Sequence, residues 1–323
     1  MQIRHPESFE HGFAFKRGSV DVIAEGWKRV SFFLPGFIIP GLLLYFAWTT
    51  ALTGWWIALF IFIAIQILYA LTIEWLRRER DLSPSIAFER GDRKAKRCVV
   101  LVHGFADTPL AWSRQADVLA QRGWRVLVPE LDLSATSESW LTAIRSALCE
   151  AKTGADYVEL WGHSMGAALA TTVAQTVSVH RLVLWAPFLE PAMGRLASRF
   201  FYLCHRLFLW WPYTLTWFPV ARYGKGEPET FYRVRRVIPT RTFTSALAVP
   251  KQTLQKQPDV PTVIILSQHD TVVRNTPVRR FFTDATFLLA ASPRSSHALT
   301  NAADWLLNLN RLLEGTDETC DPL

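Results

Sequence analysis

The sequence predicts an α/β fold, in which a mostly parallel β-sheet is covered by helices on both faces, preceded by a two-helix transmembrane hairpin. From residue 97 onward, short apolar and β-branched runs alternate with helical stretches, a pattern typical of parallel sheets buried on both faces. Before this part, 44 consecutive residues, Val30–Ile73, carry no charge. With 323 residues, half of them apolar, the chain can form one large domain or two ordinary ones.

The uncharged run is too long for one membrane helix. A single helix of that length would extend about 66 Å, twice the hydrocarbon core of a bilayer. Two spans, Val30–Trp48 and Trp55–Ile73, fit instead, with a turn at Thr49–Gly54. A cleaved signal peptide fits poorly because the run starts late and is too long. A buried helical pair in a soluble protein remains the alternative.

The charges beside the run predict its orientation. Residues 1–29 contain five Lys or Arg, the turn contains none, and residues 77–97 contain eight. The positive-inside rule then places both ends in the cytoplasm. We therefore expect a protein with two membrane spans, as in the bacterial inner membrane, and a cytoplasmic domain.

The net charge and the cysteines limit the binding partners and the kinds of site that the chain can have. The charge of +7 suits nucleic acid, an anionic membrane or an uneven surface. Since the basic residues cluster beside the apolar run and in residues 191–260, we expect no nucleic acid partner. The cysteines form no CxxC pair, so we expect reduced thiols without a disulfide framework or a metal site, and we expect no cofactor. They are Cys98, Cys149, Cys204 and Cys320.

Six strands and four helices are expected after the membrane segment. The helix that starts at Ser137 has that residue as its expected cap. The strands are Arg97–Gly104, Trp124–Leu131, Tyr157–Gly162, Arg181–Pro187, Pro261–Gln268 and Ala285–Ala291; the helices are Trp112–Gly123, Ser137–Ala151, one from Ser164 to about Gln175, and about Ala298–Glu314.

The alternation stops between Glu190 and Val260, a stretch too long for a simple loop. Residues 191–260 contain 13 aromatic residues and 11 Lys or Arg against three acids. We expect an inserted subdomain here. Its aromatic side chains either contact an apolar substrate or form the core of the insertion.

The segment "VELWGHSMGAALA" (Val158–Ala170) contains a Gly-x-Ser-x-Gly motif between a strand and a helix of small residues. A nucleophilic serine on such a strained turn needs neighbours without bulk two positions away on each side. Gly162 and Gly166 meet this need and make Ser164 the candidate nucleophile.

A serine nucleophile needs a base and an orienting acid. His297 follows the last strand, at the edge of the sheet where the Ser164 turn also emerges, and is the candidate base. Asp270 follows the preceding strand and is the candidate acid, with Glu190 as runner-up. Other carboxylates (Glu130, Asp132) and other histidines (His5, His11, His103, His163, His180, His205, His269) are less suitable because of their positions.

The order Ser164, Asp270, His297 resembles that of the α/β-hydrolase superfamily, within it the monoacylglycerol lipase, lysophospholipase and carboxylesterase-like branch. The motifs "HGF" (103–105), "GHSMG" (162–166) and "HDTVV" (269–273) carry the resemblance. The loop "ELDLSATSES" departs from the Gly-rich loop common in the family. The usual first hairpin of the family's sheet has little room between Arg77 and Arg97, so the sheet is expected to have six or seven strands. The resemblance implies the α/β-hydrolase fold, an oxyanion hole from the N–H groups of Phe105 and Met165, and a lid formed by the insertion.

These observations predict a membrane-anchored serine hydrolase acting on carboxylic esters, with lipid or amphiphilic acyl esters such as monoacylglycerols or lysophospholipids as substrates. The alternatives are a peptidase, thioesterase or acyltransferase with the same triad, or a non-enzymatic membrane protein with this fold. The expected parts are an N-terminal segment (1–29), the hairpin (30–76), a basic linker (77–96), the catalytic core (97–190 and 261–316), the lid (191–260) and a tail (317–323).

Overall fold

In a computed structural model, the chain forms a seven-stranded β-sheet. Its strand order is β1-β3-β2-β4-β5-β8-β9, and only β1 runs antiparallel to its neighbour. The structure describes residues 86–105, 107–132, 136–192, 213–215, 237–268, 270, 272–291, 297, 299 and 305–317, with residues 45, 57, 59–65, 67, 68 and 71 before them.

The strands and helices alternate as the sequence predicts. The strands are β1 (Phe88–Arg90), β2 (Arg97–Val102), β3 (Trp124–Val128), β4 (Tyr157–His163), β5 (Arg181–Trp185), β6 (Tyr213–Leu215), β7 (Val237–Pro239), β8 (Thr262–Leu266) and β9 (Thr286–Leu289). The helices are α1 (Ser113–Gln121), α2 (Ser137–Lys152), α3 (Met165–Ala174), α4 (Thr240–Thr253), α5 (Asn275–Phe281) and α6 (Trp305–Asp317), and a 3₁₀ turn (Pro109–Trp112) precedes α1.

Each central strand is apolar on both sides because each side faces a different core. In β2, Val100 and Val102 belong to the cluster that also contains α2 and α3 residues, whereas Val99 and Leu101 belong to the cluster on the opposite face with α1 and α6. Alternate side chains point to opposite faces of a sheet. Burying a Val or Leu side chain contributes about 1.5–3 kcal/mol, so these double-sided strands stabilise the sheet that carries the site.

The edge strand β1 accounts for the seventh strand. It pairs antiparallel with β3, and Arg125 of β3 holds it through an ion pair of 2.7 Å between Nε and Oε1 of Glu89. Arg125 also contacts Glu150 of α2 at 2.6 Å. Three residues are too few for a periodic pattern, and the sequence did not identify this strand.

Two further elements differ from expectation. The prediction that Ser137 caps α2 is wrong: the helix begins at Ser137, and Thr136 occupies the cap position without a side-chain capping bond. Helix α4 falls within the stretch expected as the lid, yet its Ala246 and Val249 belong to the core cluster with α3. Its Thr253 also contacts Thr172 of α3, with 3.1 Å between the hydroxyl oxygens.

The expected transmembrane hairpin falls almost entirely outside the described residues. Of residues 30–76, the structure describes 45, 57, 59–65, 67, 68 and 71, all of them helical. Within the described part of the chain, no helix combines the length and the apolar character needed to cross a bilayer.

Candidate active site

Ser164 occupies a sharp turn between β4 and α3. Its φ of 54° and ψ of −118° lie in a region that non-glycine residues rarely adopt and that costs about 1–3 kcal/mol. The main chain holds the turn: the N–H of Ser164 donates to the carbonyl of Trp185 at 2.8 Å, and its own carbonyl accepts the N–H of Phe188 at 3.0 Å. Strand β5 and the loop that follows it therefore stabilise the strained residue.

The two motif glycines are required by close packing. A Cβ at Gly162 would lie 2.5 Å from the carbonyl oxygen of Gly166 and 2.6 Å from Cα of Ala167. A Cβ at Gly166 would lie 2.5 Å from the carbonyl oxygen of Val102 and would also meet the carbonyl of His103. The start of α3 thus packs directly on β4 and on the end of β2.

The structure brings Ser164, His297 and Asp270 together. Nε2 of His297 lies 2.7 Å from Oγ of Ser164, and Nδ1 lies 2.8 Å from Oδ2 of Asp270. An ionised carboxylate only accepts hydrogen bonds, so Nδ1 carries the proton in the neutral ring and Nε2 can accept from the serine hydroxyl. His297 is 4% exposed and Ser164 is 8% exposed. The arrangement can take a proton from Ser164 as it attacks a carbonyl carbon.

Asp270 lies in a turn that prepares it for this contact. Its Oδ1 accepts the N–H groups of Val272 and Val273 at 2.8 and 2.9 Å, which leaves Oδ2 for His297. Burial raises the pKa of Asp270, but the charge of His297, its hydrogen bond and the two main-chain N–H groups oppose this, and the net effect lowers the pKa below its ordinary value. The carboxylate is therefore the stable form at neutral pH.

The two expected oxyanion donors belong to chain segments next to the serine. Met165 is the first residue of α3, where helix N–H groups have no partner within the helix. Phe105 follows Gly104, and a Cβ at Gly104 would lie 3.3 Å from Cβ of Ser164. The loop after β2 therefore lies against the serine, as a donor from this loop requires.

The runner-up acid has another partner. Oε1 of Glu190 lies 3.3 Å from Nη1 of Arg274, and its main-chain carbonyl accepts the N–H of Arg274 at 2.9 Å. Asp132 is exposed, and its carbonyl accepts Nε1–H of Trp140 at 2.7 Å.

The other histidines take different positions. His103 is buried and accepts the N–H of Leu131 at Nε2, with a distance of 3.3 Å. His180 is exposed and contacts the N–H of Val158 at the opposite end of β4. His5, His11, His205 and His269 lie outside the described residues.

Sequence reasoning missed the contact of His163 with the main chain of His297. Nε2 of His163 lies 3.0 Å from the carbonyl oxygen of His297. From its position next to Ser164 in a tight turn, the sequence predicted only that the side chain of His163 points away from the serine.

In the described part of the chain, no group of three His, Cys, Asp or Glu side chains is arranged to hold a metal ion.

Known proteins share this fold. A structure described with LipS and LipT, two metagenome-derived lipolytic enzymes, superposes with a TM-score of 0.60 at 18% identity, over 72% of this chain and 98% of the other. The Paleococcus ferrophilus monoacylglycerol lipase gives a TM-score of 0.60 at 15% identity, covering 72% and 97%. A soluble variant of the Saccharomyces cerevisiae monoglyceride lipase gives 0.58 at 16% identity, covering 73% and 92%.

At these identities the likeness concerns the fold. No curated protein matches the chain at a significant level. A sequence model of the Alpha/beta hydrolase family matches residues 99–309, a range that includes Ser164, Asp270 and His297. The chain belongs to the alpha/beta hydrolase family.

Proposed function

We propose that the protein is a membrane-anchored serine hydrolase that cleaves carboxylic esters through an acyl-enzyme at Ser164. The observation that carries the proposal is the chain of contacts from Ser164 through His297 to Asp270, with heavy-atom distances of 2.7 and 2.8 Å. These are the lengths of ordinary hydrogen bonds. A strained serine at the end of a strand presents its hydroxyl to the site.

The proposed reaction has two halves. Oγ of Ser164 attacks the ester carbonyl while Nε2 of His297 takes the hydroxyl proton, and the N–H groups of Phe105 and Met165 stabilise the oxyanion. The protonated ring then donates this proton to the leaving alcohol as the ester C–O bond breaks. In the second half, water loses a proton to His297 and attacks the acyl-enzyme, which releases the acid and restores Ser164. Asp270 holds the ring and stabilises its charged form.

A fluorophosphonate probe tests this chemistry directly. We expect the full-length protein in detergent to be labelled at Ser164 and the Ser164→Ala variant to remain unlabelled. Labelling that persists in the Ser164→Ala variant, or an unlabelled wild-type protein, would refute hydrolysis at this residue. The second result would favour the alternative of a non-enzymatic membrane protein with this fold.

We further propose that the substrate is a lipid or amphiphilic acyl ester. Residues 191–260 combine 13 aromatic residues with an excess of basic over acidic side chains. Aromatic side chains suit an acyl chain, and basic ones suit an anionic lipid surface. Monoacylglycerols and lysophospholipids have both an acyl ester and a polar headgroup.

Substrate profiling separates hydrolysis of lipid esters from the alternative activities. We expect kcat/KM to be higher for long-chain monoacylglycerols or lysophospholipids than for short-chain p-nitrophenyl esters. A clear preference for short esters would refute the lipid proposal. Faster turnover of acyl thioesters or peptides, or transfer of the acyl group to an alcohol, would favour a thioesterase, peptidase or acyltransferase.

The membrane anchor is the remaining part of the proposal. It is supported by the 44 uncharged residues and their basic flanks. The described helical residues in this segment also leave large apolar side chains exposed, including Phe60 at 79% and Leu68 at 67%. Bilayer lipid is the environment in which such side chains are stable.

Cysteine labelling tests the anchor and its orientation. Cys149 is exposed, whereas burial raises the pKa of the Cys98 thiol to about 12, so Cys98 should stay unlabelled in the folded protein. We expect a membrane-impermeant maleimide to modify Cys149 only after cells are lysed, as mapped by mass spectrometry. We also expect the protein to stay with membranes in an alkaline carbonate wash. Labelling of Cys149 in intact cells, or release by carbonate, would contradict the proposed topology or anchor.

A further inference from the structure

We propose that His163 and Asp107 form a second carboxylate–imidazole pair, which positions the main chain of His297 and thereby its ring against Ser164. Neither side chain belongs to the proposed triad. Both are nearly inaccessible, with His163 2% and Asp107 5% exposed. The inference rests on the proposed hydrolysis at Ser164 and adds two positioning residues to it.

The first contact joins His163 to the candidate base. His163 is the last residue of β4, and its Nε2 lies 3.0 Å from the carbonyl oxygen of His297. A carbonyl oxygen only accepts, so Nε2 is the donor. The same carbonyl also accepts the N–H of Leu299 at 2.9 Å. The carbonyl of His297 therefore accepts two hydrogen bonds, one from its own loop and one from a side chain adjacent to the nucleophile.

The second contact fixes the ring of His163. Its Nδ1 lies 3.6 Å from Oδ2 of Asp107, which is longer than a hydrogen bond but places the carboxylate against the ring. A Cβ at Gly104 would lie 2.9 Å from Oδ2 of Asp107 and 3.1 Å from Nδ1 of His163. The pair is thus packed against the residue that precedes Phe105. Asp107 packs against the Nδ1 side of the ring and limits its rotation, so Nε2 stays next to the carbonyl oxygen of His297.

This arrangement connects three chain segments whose relative positions must be maintained for the reaction. The loop after β2 carries Phe105, the turn after β4 carries Ser164, and His297 lies on the loop after β9. Because proton transfer requires reacting atoms at hydrogen-bond distance, a shift of about 1 Å at His297 can reduce the rate about 100-fold. A link from His163 to the His297 main chain limits such a shift.

Two substitutions of His163 separate positioning from packing. The amide nitrogen of glutamine reaches about as far as Nε2, whereas that of asparagine reaches only as far as Nδ1. We expect His163→Asn to lower kcat and the rate of fluorophosphonate labelling at Ser164 about 10- to 100-fold, with KM little changed. His163→Gln keeps the donor to His297 and should recover most of the rate. Both variants place an amide in the same buried site, so a difference in rate between them does not come from a difference in side-chain polarity.

His180 supplies a matched control. It contacts the N–H of Val158 at 3.0 Å, at the other end of the same strand. His180→Ala removes a comparable contact between a histidine and the main chain, and we expect its labelling rate to stay at the wild-type value. Thermal unfolding of each variant shows whether a slower rate follows a general loss of stability.

Asp107→Ala, which removes the carboxylate beside the ring, tests the second contact. It should slow labelling several-fold alone and have no further effect in the His163→Asn background, because Asp107 acts through His163. Equal labelling rates for His163→Asn, His163→Gln and wild type would overturn the positioning role, while Ser164-dependent labelling of the wild type would leave the hydrolase proposal intact. Independent effects of Asp107→Ala and His163→Asn would overturn the pairing. An unlabelled wild-type protein would overturn both proposals.

Discussion

Nδ1 of His297 lies 2.8 Å from Oδ2 of Asp270, and the other oxygen of this carboxylate accepts two main-chain N–H groups. The carboxylate is thus fixed before it contacts the ring. The contact determines which nitrogen of His297 carries the proton and leaves Nε2 free to accept from Ser164.

Asp270→Asn should reduce kcat about 10³- to 10⁴-fold. An asparagine amide can donate to Nδ1, which stabilises the tautomer in which Nε2 carries the proton and cannot accept it from the serine. Ester hydrolysis at neutral pH, measured in detergent, checks this. The control is Glu190→Gln, whose parent carboxylate contacts Arg274 and which should stay within about 3-fold of wild type, as for a substitution outside the reacting groups. A larger loss in Glu190→Gln than in Asp270→Asn would assign the acid to Glu190.

Asp270 should also contribute to stability in a pH-dependent way. Its pKa in the folded protein lies below the ordinary value of 3.8, so the unfolded chain binds the proton more tightly. The contribution is present above about pH 4 and is lost as the pH falls through the folded pKa. We expect the difference in Tm between wild type and Asp270→Asn to shrink as the pH is lowered from 6 to about 3. A difference that grows toward acid would show that the folded pKa is raised.

The strained backbone of Ser164 predicts that glycine is tolerated better than alanine there. Both Ser164→Gly and Ser164→Ala remove the hydroxyl, but only glycine adopts φ near 54° without a steric penalty. Relief of the strain should exceed the greater entropy of glycine in the unfolded chain, so Ser164→Gly should be more stable than Ser164→Ala by about 1 kcal/mol. Thermal unfolding of the two inactive variants measures this. A more stable alanine variant would mean that the turn relaxes when the hydroxyl is removed.

Gly166→Ala should destabilise the protein by about 3 kcal/mol. The added methyl group would meet main-chain oxygens of Val102 and His103, and backbone cannot move aside as a flexible side chain can. The matched control is Gly154→Ala, whose Cβ would lie 3.4 Å from the nearest atom, the carbonyl oxygen of Arg93. We expect the control to unfold near the wild-type temperature. Similar losses in both variants would contradict the close packing of α3 on β2.

Most of the central sheet could be predicted from the sequence, because its strands are apolar on both sides and its helices alternate with them. The short elements could not. β1 has three residues, all of intermediate burial, and is held by Arg125, which lies 36 residues from Glu89 in the sequence. Helix α5 has seven residues, of which only Val278 is buried, so it shows no apolar stripe. Local patterns do not report contacts of this kind.

The sequence by itself determined where the core strands lie along the chain and the candidate residues Ser164, Asp270 and His297, because strand periodicity and the Gly-x-Ser-x-Gly turn are local properties of the chain. Only the tertiary structure decided which acid meets the base, since Asp270 and Glu190 both follow strands that end at the same edge of the sheet. Only the structure placed His163 and Asp107 beside the main chain of His297. Those contacts depend on side-chain directions and on loops that converge from distant parts of the chain.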